Sequence, residues 1–461
     1  MNMINVRRLT VMTFLGAGML SGISAQVSPL QVDTLKETKI PDQWDLQSCI
    51  DYAKEQNITI RKNRITAAST QIDVKTAKAA LFPSLSFSTG HQVVNRPYQE
   101  TSSRVSGSEI ISSNSKTSYN GNYGLNASWT LYNGNKRLKT IQQEKLNNQM
   151  AELDVATSEN NIQESIAQVY IQILYAAESV KVNENTLQVS IAQRDRGQEL
   201  LNAGSIAKSD LAQLEAQVST DRYQLVTAQA TLEDYKLQLK QLLELDGENE
   251  MNIYLPALSD ENVLAPLPTK RDVYISALSL RPEIEASKLN VEASELGINI
   301  AKSSYFPTIS LSAGIGTNHT SGSDFTFGEQ VKNGWNNSIG LSVSVPIFNN
   351  RQTKSAVQKA KLQYETSMLS LLDEQKTLYK TIEGLWLDAN SAQQRYAAAN
   401  EKLKSTQISY ELISEQFNLG MKNTVELLTE KNNLLQAQQE QLQAKYMAIL
   451  NTQLRKFYQG D

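Results

Sequence analysis

Two hydrophobic periodicities alternate along the chain. From Tyr119 to Leu131 the odd positions carry Tyr119, Tyr123, Leu125, Ala127, Trp129 and Leu131, and the even positions carry Asn120, Asn122, Asn126, Ser128 and Thr130. Ile339, Leu341, Val343, Val345 and Ile347 alternate with Ser342 and Ser344. Ile309, Leu311, Ala313 and Ile315 alternate with Ser310 and Ser312, and Leu85 and Phe87 alternate with Ser84, Ser86 and Ser88. Period two sends successive side chains to opposite faces, so these runs predict four strands. One face is Ser and Asn without charge, which suits a water-filled lumen. The other, with Trp129, Tyr123 and Trp335, suits lipid with interfacial aromatics. Taken alone, an ordinary half-buried soluble sheet fits as well.

The second periodicity is seven. Asn135 to Leu201 has no proline and one glycine, and Ile166, Ile173, Val180 and Leu187 recur at heptad spacing, as do Ile162, Val169 and Ala176. That is a coiled-coil pattern. A helix of this length reaches roughly 100 Å, and Arg351 to Asn418 repeats the design. A globular domain has no use for such a helix, whereas a tube crossing the periplasm does.

The two patterns belong to an internal duplication. Residues 77–86, through Phe82-Pro83-Ser84, match residues 301–310, through Phe306-Pro307-Thr308, at an offset of 224. Gly124-Leu125 matches Gly340-Leu341, and Asn202-Ala203-Gly204 matches Asn418-Leu419-Gly420, both at an offset of 216. The eight-residue difference falls between Gly90 and Gly124, where a hairpin loop absorbs it. Each repeat reads as helix, β-hairpin, long helix, turn and return helix. The opening helices run from Leu46 to Leu81 and from Asp272 to Tyr305. They stop at the helix-to-strand junctions Phe82-Pro83 and Phe306-Pro307, because proline disfavours helix in the residue before it. The first repeat covers 44–245, with its hairpin at 84–132 and its tip at 202–208. The second covers 271–458, with its hairpin at 308–348 and its tip at 418–423. The return helices run from Ser209 to Leu245 and from Thr424 to Lys456. The hairpin ends, Asn95 to Ser118 and Asn318 to Asn333, are polar and predict exposed extracellular loops. The proline-richer segment 246–270 is expected to form a belt around the outside of the helical tube.

Composition narrows the compartment. Arg7 and Arg8 precede an apolar stretch ending near Leu20, and small residues follow to Ala25. Residues 1–25 therefore read as a secretory signal peptide, followed by a tail at 26–43. Cys49 is the only cysteine, which rules out a disulfide framework within the chain and fits a small buried residue. No later run of eighteen apolar residues exists, so a spanning helix is not expected. An exported chain of this kind is soluble in the periplasm or enters the outer membrane as strands. The net charge of −4 argues against a nucleic-acid partner. Strand edges left open in hydrocarbon leave backbone groups unpaired, and small membrane barrels need about eight strands. Four strands per chain thus predict an oligomer of at least two.

Several short motifs carry a family resemblance. Trp44-Asp45-Leu46 with Ala53 and Asn57, Leu280-Arg281-Pro282-Glu283-Ile284, the two Phe-Pro junctions, and Gly420 with Val425-Glu426-Leu427-Leu428 together resemble the TolC-like outer membrane efflux proteins. The match runs from Trp44 to Tyr458. The resemblance implies an α+β membrane protein. It would be a homotrimer whose 12-stranded β-barrel, four strands per protomer, continues into a long α-helical periplasmic barrel. The protein would lie in the outer membrane of a Gram-negative bacterium, contacting outer-membrane lipid and extending into the periplasm. Its helix tips would meet a periplasmic adaptor and an inner-membrane transporter of the RND or ABC type. It would be a passive exit channel with no enzyme activity and no cofactor.

The same resemblance marks the inner tips. Asp210 falls at a gate position after the first turn, and Lys422, Glu426 and Thr429 fall at others after the second. Lys422 stands where arginine is common, and Thr429 where a second carboxylate occurs, so the inner ring is less acidic. Three symmetry copies of Glu426 would gather like charge that Lys422 neutralises, and releasing the pair would open the iris. Helix capping explains the same residues locally. Asn423 and Glu426 have N-cap and N3 spacing, and Asp210 sits in a first turn where negative charge is favoured. Asn202, Gly204, Ser209, Asn418, Gly420, Asn423 and Thr424 form the turns and the expected adaptor contact. His91 and His319 are the only histidines and stand in no ligand cluster along the sequence, and no phosphate-binding loop is present. A coiled-coil stalk or adhesin explains the helices but not the matched hairpins, and a simple porin explains the strands but not the helices.

Overall fold

The computed structural model describes residues 41–98, 102–106, 109–113, 116–246, 251–256, 267–321 and 325–459. The expected signal peptide and residues 26–40 of the tail lie outside them, as do Pro266 and much of the linker. The first repeat comprises α1 (Leu46–Gln56), α2 (Ile58–Ala79), β1 (Ser84–Asn95), a small hairpin β2 (Ser102–Ser106) and β3 (Glu109–Ser113), β4 (Thr117–Asn133), α3 (Lys136–Asn202) and α4 (Lys208–Leu242). The second comprises α5 (Lys270–Leu280), α6 (Pro282–Ser303), β5 (Thr308–Thr320), α7 (Phe327–Asn333), β6 (Asn336–Ser344), α8 (Gln352–Asn418) and α9 (Thr424–Gln459). Helix lengths agree between repeats: α1 and α5 have 11 residues, α2 and α6 have 22, α3 and α8 have 67, and α4 and α9 have 35 and 36. Among the described residues no helix is long and apolar enough to cross a membrane.

The duplication extends to the packing. The expected single helices 46–81 and 272–305 are each two helices, broken at Asn57 and at Arg281, residues 224 positions apart. Cys49 and Val273, Ala53 and Ala277, and Ile60 and Ile284 sit at the same offset, and all six are buried. The breaks have different chemistry. The Asn57 side-chain oxygen accepts from the Thr59 and Ile60 backbone N–H groups at 2.9 and 3.4 Å, and its amide donates to the Leu242 carbonyl at 3.0 Å. At the second break Pro282 opens α6 at the first helical position, where its missing N–H costs nothing. The Arg281 guanidinium lies 4.6 Å from the Phe457 ring centre and 3.6 Å from that of Tyr458. Each break is therefore pinned to the end of its own repeat's return helix, once by hydrogen bonds and once by stacking.

A core forms where α1, α3, α4 and α9 meet, around Trp44, Ile166, Ile173, Leu239 and Tyr446. The heptad positions Ile166, Ile173 and Leu187 are buried as the spacing requires. Cys49 is fully buried, and desolvation pushes its thiol up to about 12, so it is inert packing. Residues 251–256 are stitched to the start of α1: Trp44 N–H donates to Asn252 and Tyr254 N–H donates to Trp44, each at 2.8 Å. The Tyr170 hydroxyl also reaches the Tyr254 carbonyl at 2.6 Å.

The four long strands form one antiparallel sheet in the order β1-β4-β5-β6. Residues paired directly across antiparallel strands share a face. The rows Leu85–Ala127–Ala313–Ile339 and Trp129–Leu311–Leu341 therefore lie on one face, and Ser84–Ser128–Ser312–Gly340 and Ser86–Asn126–Gly314–Ser338 on the other. In the protomer the apolar face is bare: Leu85 is 70% exposed, Phe87 68%, Ile339 83% and Leu341 65%. The β4–β5 register slips between Thr130 and Tyr132, so Leu131 leaves the strict alternation. β6 ends at Ser344, short of the expected Ile347, because Pro346 lacks the donor a ladder needs. The hairpin ends are more structured than expected. The first carries β2 and β3. The second carries α7, nucleated by a capping box in which the Thr326 hydroxyl and Glu329 carboxylate cap each other's backbone N–H groups.

At the first helix-to-strand junction the Trp129 indole N–H donates to the Leu81 carbonyl at 2.7 Å, and Arg137 Nη1 to the Ala80 carbonyl at 2.7 Å. Phe82 and Phe306 are both exposed, at 73% and 52%. Asn57→Ala removes one cap and one long-range bond, so it is expected to destabilise the protein by about 1–2 kcal/mol. Thermal unfolding followed by far-ultraviolet circular dichroism checks this, and an unchanged midpoint would show that the break holds without its cap.

Candidate functional site

The site expected from the sequence lies at the two turns that end α3 and α8. Both turns close in one way. Gly204 N–H donates to Leu201 at 2.9 Å and Ser205 N–H to Leu200 at 2.8 Å, while Gly420 N–H donates to Phe417 and Met421 N–H to Gln416, each at 2.9 Å. These are paired C-terminal bonds around a residue of positive φ. φ is +75° at Gly204 and +73° at Gly420, and an added Cβ at either would meet nothing within 4 Å. Backbone conformation, rather than space, therefore requires glycine there. Asn202 and Asn418 are the last helical residues before the turns, and Gln198 donates to the Asn202 side chain at 3.0 Å.

Sequence-predicted site residues divide into local groups. At the second tip Glu426 uses both oxygens. Lys422 Nζ donates to Oε1 at 2.5 Å and the Asn423 backbone N–H to Oε2 at 3.1 Å, while Asn423 Oδ1 accepts from the Glu426 N–H at 2.9 Å. The Lys422 hydrogen bond and then the Asn423 N–H hold the Glu426 carboxyl below its ordinary 4.5. Capping and ion pairing thus occur on one side chain. At the first tip Asp210 Oδ2 accepts from the Ala207 backbone N–H at 3.0 Å, so it caps α4. The Thr429 hydroxyl donates to the Val425 carbonyl of its own helix at 2.8 Å. Ser209 is exposed, and Thr424 is buried with a hydroxyl that finds no partner. Apolar Leu419, Met421 and Val425 are exposed around the second turn, at 72%, 64% and 57%.

Behind the tips the two repeats are locked together by residues the sequence reading missed. Lys431 of α9 hydrogen-bonds to Asp221 of α4 and to Ser190 of α3, and Ser190 also donates to Asp221. All three are buried, at 3%, 1% and 2% exposure. Gln217 completes the set, donating to Asp221 Oδ1 at 2.9 Å and to Asn432 at 3.3 Å. Burial pushes the Lys431 ammonium below its ordinary 10.5, and Asp221 pulls it back up. The network stands roughly 15–25 Å from the turns, at 1.5 Å per residue. Its signal was legible: Asp221 continues the buried stripe of Leu214 and Val218, and Lys431 falls midway between buried Leu427 and Leu435. A charge on each of two apolar stripes asks for a partner. Between the network and the turn, Gly197 lets α4 approach α3, since a Cβ there would lie 2.5 Å from Leu214 Cδ1.

With this architecture in view, comparison with known proteins is specific. A family model described as outer membrane efflux protein matches residues 49–244 and 273–456, and its gap coincides with the linker. The outer membrane efflux protein BepC of Brucella suis is 24% identical over 294 residues, 63% of this chain and 61% of that protein. The outer membrane protein TolC of Escherichia coli K12 is 24% identical over 294 residues, 62% of this chain and 58% of that protein. Each match therefore spans less than two thirds of the relative's own length. The crystal structure of CusC, from work on its folding and transmembrane channel formation, shares the fold with a TM-score of 0.75 at 18% identity over 90% of both chains.

The buried network yields a direct test. Lys431→Met strands the Asp221 carboxylate without its cation and is expected to cost about 3–5 kcal/mol, whereas Lys431→Met with Asp221→Leu restores most of that loss. Thermal denaturation separates the two variants; a single variant as stable as the parent would show that the ion pair is not formed.

Proposed function

Because the chain belongs to the outer membrane efflux protein family, we propose that it is the outer-membrane exit channel of a tripartite efflux or type I secretion system. It works as a passive homotrimer in a Gram-negative cell. Three four-stranded sheets close one barrel in the outer membrane, and the paired long helices continue it as a conduit through the periplasm. A periplasmic adaptor and an inner-membrane transporter of the RND or ABC type engage the tips. One observation carries this reading: a sheet with one bare apolar face, one uncharged polar face and two unpartnered edges leads directly into two 67-residue helices of equal length. A stalk or adhesin has no use for such a sheet.

The tips act as the gate. Lys422, Glu426 and Asn423 hold the second turn in its closed form, Asp210 holds the first, and Thr429 lines the approach. Gly204 and Gly420 present the turns to the adaptor, and exposed Leu419, Met421 and Val425 give it an apolar surface. Ser190, Asp221 and Lys431 form a fixed point behind the gate, so that opening bends the tips without parting the repeats.

Heat-labile oligomers of the mature protein are expected in outer-membrane fractions; recovery only as a soluble monomer overturns the reading. In planar bilayers, Asp210→Ala combined with Glu426→Ala is expected to raise single-channel conductance, and unchanged conductance removes both residues from the gate. Acid acts in the same direction. Glu426 has a lowered folded-state pKa, so its contribution is complete above the ordinary 4.5 and is lost as pH falls through the lowered value. Conductance of the parent is therefore expected to rise below that pH, and the rise is expected to vanish in Glu426→Gln.

A further inference from the structure

The chain's two histidines are 228 positions apart in sequence, yet the sheet brings them into one row. His91 of β1 pairs with Gly121 of β4, and Gly121 pairs with His319 of β5. Both imidazoles lean over the glycine between them: an added Cβ at Gly121 would lie 3.2 Å from His91 Nδ1 and 2.9 Å from His319 Nδ1. The two nitrogens thus share one small space that only glycine leaves open.

Hydrogen bonding sets His91 between two hydroxyls. His91 Nε2 is 3.1 Å from the Thr89 hydroxyl, and His91 Nδ1 is 2.7 Å from the Tyr119 hydroxyl. Both tautomers satisfy these contacts, because each hydroxyl can donate or accept. In the tautomer with the proton on Nε2, the Nδ1 lone pair accepts from Tyr119 and is the one a metal ion would take over. His319 Nδ1 is shielded from solvent and has no hydrogen-bond partner. A buried polar atom without a partner calls for an explanation. The rings are held by aromatic contacts. Tyr119 stacks on His91 at 5.8 Å, and His319 meets Tyr119 edge-on at 5.1 Å and Phe327 at 5.0 Å.

We propose that His91 and His319, with the Tyr119 hydroxyl as an oxygen donor, form a binding site for a divalent first-row transition-metal ion. Metal–nitrogen bonds are about 2.0–2.1 Å, so both rings have to turn until their Nδ1 atoms converge on one point above Gly121, which side-chain rotation supplies. Among the described residues no three His, Cys, Asp or Glu side chains converge, so the remaining positions fall to Tyr119 and water. Two imidazoles and an oxygen donor suit Cu2+ best, ahead of Ni2+ and Zn2+. The bound ion staples β1, β4 and β5 near the ends that carry the hairpin loops. That it does so at the external rim rests on the channel reading; metal binding itself does not.

The test uses full-length, tag-free protein in detergent. Copper(II) chloride is titrated against a chromophoric chelator, and the bound Cu2+ spectrum is recorded by electron paramagnetic resonance. One ion per protomer and hyperfine coupling to two imidazole nitrogens are expected. Loss of even an outer-shell partner of a metal ligand costs about 10–100-fold in affinity. His91→Ala and His319→Ala are therefore each expected to weaken binding by at least about tenfold. Gly121→Ala, which keeps both imidazoles and fills the space between them, is expected to do the same. His319→Gln replaces the alanine variant if that one does not assemble, as judged by heat-labile oligomers on gels. A parent spectrum without imidazole nitrogens overturns the site whatever the variants do. So does equal affinity in the parent and in the His91→Ala, His319→Ala double variant. A detergent-solubilised protein that binds copper this way but is not found in outer membranes keeps the metal site and rejects the channel reading.

Discussion

The constraint on which the rest depends is the obligation of backbone N–H and C=O groups to be paired. Among the described residues, the β1-β4-β5-β6 sheet gives each inner strand a neighbour on both sides and leaves the outer edges of β1 and β6 without a strand. Its apolar face is bare over Leu85, Phe87, Ile339 and Leu341. In water that face drives aggregation; in hydrocarbon the edges are forbidden. Both problems vanish when edge meets edge in a closed ring of copies with the apolar face turned to lipid. On the proposed channel reading, oligomerisation is a condition of the fold, and the polar ladder of Ser84, Ser128 and Ser312 becomes the wall of an aqueous lumen.

Much of this was legible because the signals are local and repeated. Period-two alternation gave the four long strands and their faces, heptads gave both long helices, and glycine gave both turns. What escaped had a different character. The breaks at Asn57 and Arg281 lie inside otherwise continuous helical pattern, although Pro282 is a helix-opening residue and Asn57 a good cap. The short α7 hid in a segment whose Gly, Ser and Asn content suggests loop, while its Thr326–Glu329 capping box pointed the other way. The pairing of His91 with His319 depends on strand register across three strands, which no single segment encodes.

At the tips, sequence reasoning set helix capping beside an ion pair on the same residues. Glu426 makes both contacts, since one oxygen meets Lys422 and the other meets the Asn423 N–H. The Ser190–Asp221–Lys431 network is of another kind. Exposed pairs such as Lys422–Glu426 form and break cheaply in water. A pair at 4% and 0% side-chain exposure gains little net stability over apolar packing, yet breaking it strands a charge. Such a pair fixes register: only one sliding position of α9 against α3 and α4 lets Lys431 find Asp221. On the proposed channel reading, a labile pair at the end of a helical hairpin and a rigid one behind it would divide the hairpin into a moving part and a fixed part.

The matched lengths of α3 and α8 carry a consequence for descent. A single-residue deletion in one of them turns everything beyond it by about 100° and withdraws it by 1.5 Å. The apolar stripe then faces the wrong neighbour, and one turn falls short of the other. Substitutions can accumulate freely on the polar faces, but insertions and deletions survive only when mirrored in the sister half or confined to the hairpin loops. The eight-residue surplus lies in such a loop, and both helices have kept 67 residues. The two halves of the gene are free to drift in sequence and bound to each other in length.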